Sequence, residues 1–67
     1  MQHFAEKLKE LRLEKKLSQF QLAQAVCLSQ SAIKQWELQT RIPNAKAVID
    51  LAKFFNVTAD YLLGLEN

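Results

Sequence analysis

Apolar residues recur along this chain at intervals of three and four rather than two, which is the period of α-helices that bury one face. Phe4, Leu8 and Leu11 set that spacing at the start. Glu10 and Glu14 alternate with lysines on the other side, so a first helix is predicted from about residue 3 to 16. Ser18 opens a second: a hydroxyl at the N-cap, Gln21 three residues on to reach back in a capping box, then Leu22, Ala23 and Val26 as the buried side. Ser29 is an equivalent start for a third helix, whose core residues Ile33 and Trp36 follow at i, i+3. A fourth begins at Asn44, after Pro43, with Val48, Leu51, Ala52 and Phe55 inward, and Thr58 caps a fifth. One proline, one glycine and few β-branched residues leave none of the turn punctuation a sheet needs. The expected fold class is all-α.

Only Cys27 and Leu28 separate Val26 from Ser29. So short a connection predicts a steep crossing of the second and third helices, since an antiparallel pair usually takes a longer loop. The small Ala23 then permits close backbone approach, and a larger side chain there should be poorly tolerated.

Length narrows the picture further. Sixty-seven residues with 49% hydrophobic and 24% charged composition fit a single globular domain over residues 1–67. No second, ligand-sensing domain fits, so no small-molecule effector is expected. A lone Cys27 forms no internal disulfide, and one Cys with one His falls short of a four-ligand zinc set, so neither metal nor cofactor is expected. Helix packing must supply the stability. Apolar runs reach four residues, as in Ala25 to Leu28, against about 18 for a membrane span. The first residues, with His3, Glu6 and Lys7, lack the apolar core of a secretory signal, so a cytoplasmic location is expected. Nor does the chain read as an enzyme. His3 lies near the terminus, no pair of carboxylates flanks a pocket-forming segment, and no glycine loop is available to cradle phosphate.

Charge is unevenly spread. Residues 1–17 carry five basic and three acidic groups, and residues 18–46 carry Lys34, Arg41 and Lys46 against Glu37. Residues 47–67 carry Lys53 against Asp50, Asp60 and Glu66. A basic front with an acidic end suits a polyanion, although on charge alone a solubility pattern serves equally well. The third helix says more. At roughly 100° per residue, Ala32, Ile33 and Trp36 define its buried side, while Gln30, Ser31, Lys34, Gln35 and Leu38 share an outward arc of about 140°. No carboxylate lies in that arc. Primary amides both donate and accept, as paired reading of adenine N6 and N7 requires, and lysine suits phosphate or guanine. A merely solvated polar face is the plainer reading of the same residues.

At this point the residues resemble a family. Leu17, Ser18, Gln19, Leu22, Ala23, Ser29, Ile33, Trp36, Glu37, Arg41 and Pro43 are similar in type and spacing to the phage repressor, Cro and xenobiotic-response-element class of helix-turn-helix regulators. The likeness continues through Asn44, Leu51, Ala52, Phe55 and Val57 to Asp60, Tyr61, Leu62, Leu63 and Gly64. It implies a five-helix lambda-repressor-like DNA-binding domain with the helix-turn-helix formed by helices 2 and 3. It also implies a sequence-specific regulator of transcription, a repressor in the first instance, whose partner is double-stranded DNA. By position, the resemblance places Gln30, Ser31, Lys34 and Gln35 on bases, and Gln19, Arg41 and Asn44 on phosphates or beside the minor groove. Lys46, near the start of the fourth helix, is a further candidate for phosphate. Gln19 lies at a helix N-terminus, where free N–H groups and the helix dipole favour an anion. Arg12 and Glu37 match a structural ion pair joining the first helix to the third.

The chain departs from the family in two places. Cys27 stands where glycine is common in the central turn, and a non-glycine residue in left-handed geometry costs on the order of 1 to 2 kcal/mol. Leu38 and Gln39 stand where Asn-Gly is frequent. A redox role for Cys27 is the other reading of that thiol, though no resolving cysteine accompanies it. At the C-terminal end, Tyr61, Leu62, Leu63 and Leu65 cannot all face one core, because consecutive residues span too much of the wheel. Relatives often dimerise there, so Tyr61, Leu62 and Leu65 are the expected contacts of a homodimer on a near-palindromic site, its recognition helices about 34 Å apart. The competing function is a protein-interaction module of the same fold, such as a toxin-neutralising subunit, with DNA contact secondary.

Overall fold

Four N-caps with the required side chains start four of the helices. A computed structural model describes residues 2–66. It contains α1 (Gln2–Glu14), α2 (Gln19–Val26), α3 (Gln30–Glu37), α4 (Ala45–Phe55) and α5 (Ala59–Leu62), and no strand among the described residues. Ser18, Ser29, Asn44 and Thr58 each hold an extended backbone and accept a hydrogen bond from the N–H three residues on. At Ser18 the capping box is complete, Gln21 Oε1 accepting from the Ser18 N–H at 2.8 Å.

The helix ends follow one rule. The residues after the five helices that turn left-handed are Lys16, Cys27, Gln39, Asn56 and Gly64, with φ between 57° and 76°. In each case the following N–H reaches back five residues, as in Leu17 to Arg12 at 3.1 Å and Leu28 to Ala23 at 2.9 Å. The others run from Thr40 to Gln35, Val57 to Ala52 and Leu65 to Asp60. These are Schellman closures, which satisfy carbonyls that a helix terminus otherwise leaves open. The first helix therefore stops at Glu14, short of the expected residue 16, because Lys16 is its left-handed closing residue. Cys27, at φ 57° and ψ 40°, takes the glycine geometry expected of it.

Phe4, Leu8, Leu22, Ile33, Leu51 and Leu62 are the largest fully buried side chains, so α1 through α5 all contribute to one core. Phe4 meets Trp36 edge to face at 6.1 Å between ring centroids, joining α1 to α3. The Trp36 Nε1–H is buried with no hydrogen-bond partner among the described residues, so this indole is held by packing. Ala23 and Ala32, both buried, stand on α2 and α3, which pack against each other. Leu62 corrects one expectation: it is 0% exposed and belongs to the core, so it offers no surface to a second chain. Leu65 is 71% exposed, and Tyr61 and Leu63 are half-buried. The wheel left the phase of these neighbours open, and packing on α1 and α4 decides it. No described helix is long and apolar enough to cross a membrane.

Candidate nucleic-acid interface

The outward arc of α3 is open to solvent. Gln30, Ser31 and Lys34 are exposed, Gln35 is half-buried, and Leu38 just beyond the helix is 61% exposed. Burial of Ala32, Ile33 and Trp36 on the opposite side fixes this rotation, because a turn of about 100° either way would put an amide or ammonium in the core. Within the arc, Gln35 Nε2 donates to Ser31 Oγ at 3.0 Å, a side-chain pair one turn apart.

A polar clamp fastens this helix to its neighbours. Arg12 Nε and Nη2 donate to the Glu37 carboxylate at 2.7 and 3.0 Å, and Arg12 Nη1 donates to the Leu17 carbonyl at 2.8 Å. The side chains are only 10% and 6% exposed. A bidentate guanidinium–carboxylate pair is among the stronger polar contacts, and here it offsets a carboxylate placed at the unfavourable C-terminal end of α3. Glu37 Oε1 also accepts from Gln19 Nε2 at 3.2 Å. The first residue of α2, the last of α3 and the end of α1 thus share one carboxylate. This bond fixes the orientation of the Gln19 amide at the start of α2.

The remaining candidates are spread over the turn into α4. Arg41 is exposed in the segment between α3 and α4, and Pro43, two residues on, is buried. The Asn44 Oδ1 accepts from the Ala47 N–H at 2.8 Å, so its carbonyl is committed to capping, and the residue is exposed. Lys46 Nζ pairs with Asp50 at 2.9 Å. Hydrogen bonding to Asp50, reinforced by its charge, raises the Lys46 pKa above the ordinary lysine value. A phosphate would have to compete with Asp50 for this ammonium. Lys46, Asp50, Lys53 and Phe54 line an open groove of about 310 Å³ with Ala25, Val26 and Cys27, and no α3 residue takes part in it.

A family model described as helix-turn-helix matches residues 8–62. Among curated proteins, the HTH-type transcriptional activator BcrR of Enterococcus faecalis is 44% identical over 63 residues, covering 94% of this chain and 31% of that protein. The uncharacterized HTH-type transcriptional regulators YqaE and YobD of Bacillus subtilis (strain 168) are 37% and 31% identical, covering 90% and 92% of this chain. They are covered over 52% and 55% of their own lengths, so the chain spans from about a third to about half of these relatives. No solved structure matches.

Proposed function

This chain belongs to the helix-turn-helix family, and we propose that it binds double-stranded DNA through α3 and regulates transcription by occupying a promoter. The observation that carries the reading is the open, carboxylate-free face of Gln30, Ser31, Lys34 and Gln35, held by a buried clamp at Glu37. Side chains of this kind on the first turns of a second helix reach base edges, while neighbours at the helix start and in the following loop fix register on the backbone. Gln30, Ser31, Lys34 and Gln35 then form the base-facing set, and Gln19, Arg41 and Asn44 carry phosphate contacts. Lys46 joins them when Asp50 releases it.

The working species is a homodimer on a near-palindromic operator. Leu65 and Tyr61 supply its apolar edge, Lys7 resting on the Tyr61 ring at 5.1 Å from the centroid. Repression follows where the site overlaps that of polymerase, and recruitment where it adjoins it; the Enterococcus faecalis relative is named an activator. The test is a mobility shift with a palindromic duplex from the protein's own promoter region. Binding should weaken by orders of magnitude between about 50 and 200 mM salt as counterions compete for the backbone. Failure to shift any duplex at low salt contradicts the proposal and favours the protein-interaction module.

A further inference from the structure

Ser31 and Gln35 lie one turn apart on the open face of α3, and Gln35 Nε2 donates to Ser31 Oγ at 3.0 Å. A primary amide has two N–H groups and one carbonyl oxygen. The N–H anti to the carbonyl is the one that can be given sideways to the hydroxyl while the carbonyl oxygen and the N–H beside it stay free as one edge. Acceptor beside donor is the complement of adenine N6–H and N7 in the major groove. Guanine shows two acceptors there, N7 and O6, which this edge does not match. An untethered amide turns about its broad terminal torsion, so the hydroxyl selects the orientation that reads.

We propose that Ser31 is a positioning residue for Gln35, and that the pair reads one adenine per recognition helix, Ser31 contacting no base of its own. The inference rests on α3 being the DNA-contacting helix. It is tested by selecting bound duplexes from a random pool with the wild type and with Gln35→Ala, Ser31→Ala and Ser31→Thr. The wild type should enrich an A·T pair at a position where Gln35→Ala loses about 5- to 150-fold of discrimination, the range for one bidentate contact. Ser31→Ala should blur that same position by about 2- to 12-fold, the range for one neutral hydrogen bond, and no other. Ser31→Thr, which keeps the hydroxyl, should restore it.

Alanine is the strongest helix former and Ser31 is exposed, so helical circular dichroism should be unchanged in Ser31→Ala. The proposal is overturned if Ser31→Ala changes a different position or none, or if the position lost in Gln35→Ala selects guanine. A wild type that enriches no sequence overturns the reading of α3 as a sequence-reading helix, so the two failures are separable.

Discussion

Replacing Glu37 with alanine probes the clamp on which the placement of α3 depends. The substitution removes the acceptor of two Arg12 hydrogen bonds and leaves the guanidinium, 10% exposed, with the Leu17 carbonyl alone. Stranding one member of a buried pair costs about 3 to 5 kcal/mol. A domain of this length has roughly 3 to 10 kcal/mol in total, at about 0.05 to 0.15 per residue. The variant should therefore lose about 30% or more of its stability and melt about 12 to 40 °C lower, at about 4 to 8 °C per kcal/mol. Thermal melting followed at 222 nm, with a guanidinium titration alongside, measures both. Glu10→Ala is the control, because Glu10 meets Lys7 only at 3.9 Å on the surface, where such pairs contribute about 0 to 1 kcal/mol. Arg12→Met combined with Glu37→Leu should recover most of the loss, since apolar replacement of both partners leaves no stranded charge. A cost for Glu37→Ala below about 1 kcal/mol refutes the burial argument. A double variant as damaged as the single one refutes the stranding argument.

Cys27→Gly should be neutral or stabilising, because the thiol is exposed and φ is 57°, and a clear fall in melting temperature contradicts this. Ala23→Leu should cost about 1 to 3 kcal/mol by overpacking where α2 meets α3, read from the denaturant midpoint. Leu62→Ala should cost about 2 to 5 kcal/mol as a core truncation. Leu65→Ser should leave the melt nearly unchanged while weakening association in sedimentation; the reverse pattern would return Leu62 to an interface. Gln30→Ala should relax one base pair by about 1 to 3 kcal/mol, whereas Arg41→Ala should weaken all duplexes alike and lower the salt slope by about one. Asp50→Asn should tighten DNA binding by releasing Lys46, and unchanged affinity would remove Lys46 from the contact set.

The beginnings of the helices were legible because their signals are local: Ser18, Ser29, Asn44 and Thr58 carry the capping oxygen on the residue itself. The ends were less so. Four of the five closing residues are not glycine, and nothing in the side chain of Lys16 or Gln39 announces a left-handed backbone. The identity of α3's outward face was readable from its period alone. What its residues do to one another was not, since the Ser31–Gln35 bond depends on rotamers and the Gln19–Glu37 bond on how α2 meets α3. The Arg12–Glu37 pair entered through family likeness, because a separation of 25 residues carries no local signal. Leu62 and Leu65 show the same limit: a run of large apolar residues fixes that some are buried, and tertiary packing chooses which.

The most direct measurement is an amide-resolved NMR titration of the protein with a duplex that it retains at low salt. The side-chain carboxamide resonances of Gln30 and Gln35, with the backbone N–H groups from Ser29 to Lys34, should shift most, and those of α5 should move little. Shifts concentrated on α5, or on the groove lined by Cys27 and Lys53, with the α3 carboxamides unmoved, would contradict the assignment of α3 as the reading helix.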